Sequence, residues 1–181
     1  MQRFAPRLFL GAGLLAGLMS GAHAFELKSA DIRDNETLKT AQVFKGCGGD
    51  NLSPQLTWSN APDGTKSFAV TIYDPDAPTG SGWWHWLAYD IPATTQQLDT
   101  GAGGADKLPA GAKHGRNDYG TKDFGGACPP RGDKPHRYVV TVYALKVPQL
   151  NVPADASAAM IGFNLNANKL GSATITGLYG R

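Results

Sequence analysis

The sequence has 181 residues, 17 Lys plus Arg against 15 Asp plus Glu, and a formal net charge of +2. So even a balance gives no reason to expect nucleic acid or an anionic membrane surface as a partner recruited by bulk charge. At this length one domain with one sizeable core is expected.

Residues 1–24 read as a secretory leader: Arg3 and Arg7, an apolar run from Leu8 to Met19, then Ala22-His23-Ala24 as a cleavage site ending at Ala24. An apolar run of about a dozen residues is too short to span a bilayer. Phe25, not Cys, stands directly after the cleavage site, which argues against a lipoprotein anchor. Removing 24 residues, two of them arginines and none acidic, leaves 157 residues with 15 basic and 15 acidic groups. The expected product is a periplasmic or secreted protein with a single domain over 25–181 and no membrane span.

Beyond the leader, short strands are predicted at Phe25–Lys28, Ala41–Phe44 and Leu56–Trp58. Strict alternation then marks three longer ones. Ser67–Tyr73 sets Phe68, Val70 and Ile72 against Ala69, Thr71 and Tyr73. Trp84–Ile91 sets His85, Leu87, Tyr89 and Ile91 on one face. His136–Val147 groups His136, Tyr138, Val140, Val142 and Ala144. Both faces are largely apolar, as in central strands covered on two sides. Between them, Pro92–Pro135 holds no convincing strand, and so long a loop is often functional or covalently pinned. Asp155 is a candidate cap for a helix running to Lys169 with Gly171 as its stop, and a last strand is predicted at Ser172–Leu178. The predicted class is all-β dominated: an antiparallel β-sandwich with one or two short helices, one near 155–169.

Cys47 and Cys128 stand 81 positions apart in a chain read as bound for an oxidising compartment. One structural disulfide is favoured there, with two buried free thiols as the alternative. Neither CxxC nor a Cys/His zinc spacing occurs, so no metal is expected.

If the three long strands are neighbours, their ends gather chemistry at one rim. Asp74, with Asp76 as a second carboxylate, closes the first; His85 opens the second; His136 and Tyr138, two apart on one face, open the third. Trp83, Trp84, Trp86 and several prolines would wall the resulting cup. Paired with Asp74, His85 would be held oriented and protonated, and two imidazoles would attract an anion. Blander readings stand beside these. A lone His85 among apolar residues is usually a satisfied core histidine, Asp74-Pro75-Asp76-Ala77-Pro78 could be only a tight turn, and the tryptophans could be only packing. Arg131-Gly132-Asp133 spells an adhesion tripeptide that chance explains better.

DPDAP at 74–78, Trp84-His85 and GGACPPRGDKPHRY at 125–138 resemble the phosphatidylethanolamine-binding protein family. DPDAPTGSGWWHW, GRNDYG and FNLNANKL are similar to its bacterial YbhB/YbcL branch, also called Raf-kinase-inhibitor-like, and the leader to its exported YbcL-type members. The resemblance implies a β-sandwich with an anion-binding cavity at one end of the central sheet. It implies ligand contacts at Asp74, His85, His136 and Tyr138, to which the rim reading adds Asp76, with Pro78, Trp83, Cys128 and Pro130 at the mouth, and a cis peptide at Ala77–Pro78. Cys128 stands where animal members have a glycine, and their C-terminal helix has no counterpart here, so the cavity should be more open. The expectation is a binder of a small phosphorylated or other anionic ligand, with no cofactor, not an enzyme, and with a regulatory or inhibitory output toward other proteins. Alternatives are an Asp/His acid–base or metal-assisted phosphoester hydrolase and a surface-mediated interaction protein. A homodimer is left open.

Overall fold

The three alternating segments become three adjacent antiparallel strands in the computed structural model, which describes Met1 and residues 23–181. The leader expected over 1–24 lies almost wholly outside the described residues. Nine strands and one helix follow in chain order: β1 (Glu26–Lys28), β2 (Glu36–Thr37), β3 (Leu56–Ser59), β4 (Ser67–Asp74), β5 (Trp83–Pro92), β6 (Gln97–Leu98), β7 (Lys113–His114), β8 (His136–Leu145), α1 (Ala158–Asn168) and β9 (Lys169–Tyr179). They form a six-stranded sheet in the order β2-β9-β8-β4-β5-β7 and a three-stranded sheet in the order β1-β3-β6. All pairings in the large sheet are antiparallel except β2 with β9.

The large sheet is covered on both faces, which is why its central strands read as apolar on both sides. Phe68, Val70, Ile72, Trp86, Tyr138, Val140, Val142 and Ala144 meet Leu27, Leu56 and Trp58 of the small sheet in the main core. Ala69, Leu87, Tyr89 and Leu145 pack instead under Ile161 and Leu165 of α1. Ser157 caps α1 by accepting a hydrogen bond from the Met160 amide, so the helix cap lies two residues beyond the predicted Asp155. Nor does Gly171 end it: the chain passes from Asn168 straight into β9, where Gly171 lies opposite Ala144. Truncating Leu165, which is wholly buried at the helix–sheet contact, should cost about 2–5 kcal/mol.

Two β-bulges correct the predicted face of Trp84–Ile91. Ile72 pairs with Trp86 but Tyr73 with Trp84, so His85 is an extra residue. Phe68 pairs with Ile91 but Val70 with Ala88, and the second kink falls at Asp90, whose φ of 58° is tolerated best by Asn or Asp. That carboxylate is fixed by the Leu150 amide and the Lys113 ammonium. The result is that His85 and Ile91 leave the helix-facing row of Leu87 and Tyr89 and turn toward the main core, as bulges beside sites commonly re-aim side chains.

Elsewhere the predicted strand at Ala41–Phe44 is a 3-10 turn, Thr40–Gln42, followed by a single bridge between Val43 and Ala127. The long loop carries the two-residue strands β6 and β7. Cys47 and Cys128 are disulfide-bonded, with Cα atoms 5.7 Å apart, inside the usual span for such bridges. No cis peptide occurs among the described residues, so Ala77–Pro78 is trans, contrary to expectation. No helix there is long and apolar enough to cross a membrane.

Candidate functional site

At the rim where β4 ends and β5 and β8 begin, a cavity of about 240 Å³ opens. Register alone puts the key groups there: Asp74 lies opposite Trp83, and Tyr73 opposite Val139, so Asp74, Trp83 and His136 cluster at one end of the sheet. Asp74, Pro78, Trp83, His85, Pro130, His136 and Tyr138 all line it. Asp76 does not. It turns outward, where Arg137 donates to its two oxygens from Nε at 2.9 Å and Nη2 at 2.7 Å. That guanidinium, partly offset by burial, holds the Asp76 carboxyl at about 2, and the bidentate pairing fixes the side chain away from the cavity lining.

Asp74 serves two purposes at once. Its Oδ1 accepts from the amides of Asp76 and Ala77, at 2.8 and 3.1 Å, which closes the turn after β4. Its Oδ2 accepts from Nδ1 of His136 at 2.7 Å. Asp74 therefore pairs with His136 and not with His85 as expected. Both side chains are about 95 % buried. Nε2 of His136 lies 3.4 Å from an Asp133 oxygen. Burial alone would depress this imidazole, but the Asp74 hydrogen bond and charge, with those of Asp133, overcome it and raise its pKa above the ordinary value.

His85 is built oppositely. Its Nδ1–H donates to the Gly125 carbonyl at 2.8 Å, and its own carbonyl accepts from the Gly125 amide at 2.9 Å. A carbonyl can only accept, so Nδ1 carries the proton and the unprotonated Nε2 is left to the cavity. Burial dominates here and pushes the His85 pKa down, outweighing the Gly125 bond and the Asp74 charge. The ring packs edge-on against Tyr138 at 5.0 Å and Tyr119 at 5.7 Å.

The 115–130 loop forms the rest of the wall without regular structure. Its backbone tracks β5 through Asp118 to Trp84 and Gly125 to His85, and then bonds back to Gln42 and Phe44 through Ala127. Tyr119 stacks on Phe44 at 4.6 Å, meets Trp83 edge-on at 5.4 Å and donates to the Gly126 carbonyl. Burial raises its hydroxyl to about 12, and burial raises that of Tyr138 further still. Gly125 must be glycine because a Cβ there would fall inside the Tyr119 ring. Cys128 also lines the cavity, and its disulfide ties this wall to the turn that follows Phe44.

Phe44, Ala77, Thr79, Tyr119 and Pro129 line the cavity too and were not among the predicted contacts. Tyr119 had a signal, since it sits in GRNDYG; Phe44 had none, because its position depends on a bridge to residues more than eighty positions away. Among the described residues no lysine or arginine lines the cavity. Its one group suited to carry positive charge is His136, opposed by Asp74. Among the described residues no three His, Cys, Asp or Glu side chains are placed to share a metal ion.

Comparison with known proteins meets this geometry. The sequence profile of the phosphatidylethanolamine-binding protein family matches residues 28–180. The chain is 56 % identical to the UPF0098 protein YbcL of Escherichia coli K12 over 162 residues, 87 % of this chain and 88 % of that one. It is 48 % identical to YbhB of the same organism over 157 residues, 85 % of this chain and 99 % of that one. The crystal structure of E. coli YbcL superposes with a TM-score of 0.84 at 55 % identity, covering 87 % of this chain and 98 % of that one. A phosphatidylethanolamine-binding protein homologue from Chlamydia trachomatis superposes at 0.73 with 25 % identity, over 87 % and 98 % of the two chains. Family profile, sequence identity and overall fold thus agree: the chain belongs to the phosphatidylethanolamine-binding protein family.

Proposed function

We propose that this is an exported binding protein for a small ligand carrying a phosphate-type or other anionic group, acting by binding and not by catalysis. The observation that carries the reading is the buried Asp74–His136 pair, which favours an imidazolium facing a cavity otherwise lined by neutral aromatic and proline side chains. An imidazolium gives an incoming anion both a charge and a directed hydrogen bond. With a single such cation and no lysine or arginine in the lining, a singly charged group such as a phosphodiester or carboxylate fits better than a dianion.

Three features support binding over hydrolysis. The Thr79 hydroxyl is committed to the Gly82 carbonyl, the Cys128 sulfur is tied up in the disulfide, and burial raises the Tyr119 and Tyr138 hydroxyls far from ionisation. A nucleophile would have to come from water. Asp74 and His136 could activate one, which keeps acid–base phosphoester hydrolysis as the second reading. Export is supported by the leader pattern and by a disulfide that an oxidising compartment would preserve.

The test is calorimetric titration with dimethyl phosphate, whose charge does not change between pH 6 and 8. Affinity should rise as pH falls across that range, and His136→Ala should abolish the dependence. No binding at any of these pH values, or binding unchanged by His136→Ala, would place the site elsewhere. Turnover of a phosphodiester that His136→Ala abolishes would replace this reading with the second.

A further inference from the structure

Gln42 presents a problem of hydrogen-bond accounting. It is 2 % exposed, yet neither its Oε1 nor its Nε2 has a hydrogen-bond partner among the described residues. The Tyr138 hydroxyl is in the same position. Buried polar groups are nearly always paired, because an unpaired one keeps the whole cost of leaving water. The side chain has no route outward. The Gln42 amide donates to Lys39 and its carbonyl accepts from Ala127, while Phe44 donates back to Ala127, so the backbone is pinned on both sides.

Gln42 and Tyr138 border a second void, much smaller than the ligand cavity, which shares His85 and Tyr138 with it. Its volume is about 10 Å³, the space of a single water. The other lining groups are Ile32, Leu38, Pro54, Ile72, Phe124, Gly125 and Ala127, all apolar or backbone. His85 offers nothing here through Nδ1, which is committed to Gly125. No charged side chain borders the void, which argues for a neutral occupant. An amide supplies both donors and an acceptor, and a hydroxyl adds one of each, enough for the two to four partners a buried water needs.

We infer that this void holds one buried water, bound by the Gln42 amide and the Tyr138 hydroxyl, and that Gln42 is thereby a positioning residue for Tyr138 at the ligand cavity. A tyrosine hydroxyl has one hydrogen to give. For Tyr138 to give it to an anion in the cavity, its inner side must be satisfied by acceptance from elsewhere. The water donates to the Tyr138 oxygen and is itself held by Gln42, so the rotor is fixed before ligand arrives. This last step rests on the anion-binding reading of the cavity; the water itself does not.

The experiment combines a high-resolution crystal structure of the unliganded protein with a cycle of Gln42→Met, Tyr138→Phe and the double variant, followed by Tm and by dimethyl phosphate affinity. Ordered density should lie within hydrogen-bonding distance of both Gln42 and Tyr138. Gln42→Met should lower Tm and weaken dimethyl phosphate binding about three- to tenfold, with no further loss in the Tyr138→Phe background. Methionine of similar length removes the amide, so a dry void predicts the opposite sign. A raised Tm with no density overturns the proposal, as does density with an unchanged affinity for its positioning part. Should Gln42→Met not fold, the density in the unmodified protein decides the water alone. If the unmodified protein binds no dimethyl phosphate, the anion reading fails while density and Tm still judge the water.

Discussion

The two imidazoles of the cavity share a rim and a solvent route but sit in opposite surroundings. His136 stands between two carboxylates, Asp74 at 2.7 Å and Asp133 at 3.4 Å, and is pushed toward its charged form. His85 stands between a backbone carbonyl and two tyrosine rings and is pushed toward neutrality. The protein thus has a charge-bearing wall on β4 and β8 and a neutral aromatic wall on β5 and the 115–130 loop. Residue type did not decide which is which; the bulge at His85 and the register of Asp74 did.

The contrast breaks most severely at Asp74. Asp74→Ala strands a buried imidazole and opens the turn that the carboxylate closes, so urea unfolding should show a loss of about 3–5 kcal/mol. A loss within experimental error would mean that Asp74 does not organise the charged wall. Next come the histidines themselves. His136→Ala should weaken dimethyl phosphate binding by about 1–3 kcal/mol, whereas His85→Ala removes only an acceptor nitrogen from the cavity and should not weaken it. Only the first should flatten the dependence on pH, because burial pushes His85 toward its neutral form.

Stability should divide the two walls as well. His136 has a raised pKa, so its contribution is full below about 6.5 and is lost as pH rises through its folded value. His85 has a lowered pKa, so its contribution is full above about 6.5 and fades as pH falls. Chemical unfolding between pH 5 and 8 should therefore give slopes of opposite sign for His136→Ala and His85→Ala relative to the parent. Equal slopes would erase the distinction. The smallest effect belongs to Asp133, whose side chain is 42 % exposed. Asp133→Ala should change stability by about 0.5 kcal/mol or less. It should lower the His136 pKa and, by freeing Nε2, strengthen anion binding slightly; a loss of affinity would show that Asp133 helps hold the ligand.

The strands that build the site were legible because β4 and β8 keep perfect alternation, which places His136 and Tyr138 together before any coordinates. β5 was misread for the opposite reason. A bulge leaves no mark in residue type, and His85 reads as one more member of the Leu87 and Tyr89 row. Asp76 was misassigned because its fate depends on Arg137, sixty-one residues later and bonded to it only once β4 and β8 are side by side. Gln42 was invisible: a polar residue within a turn gives no hint that tertiary packing will seal it behind the cavity. The two cysteines were readable from their number and the expected export alone, without knowledge of the fold.

Two neighbouring imidazoles of unequal charge define the cavity, and nitrogen-15 NMR titration of His85 and His136 from pH 5 to 9 reads that inequality. His136 should titrate above the ordinary value of about 6.5, with both nitrogens protonated below its folded value. His85 should stay neutral as the Nδ1–H tautomer until well below that value. Dimethyl phosphate should raise the His136 pKa further and leave His85 neutral. Two imidazoles titrating together, or His85 as the more basic, would contradict the account.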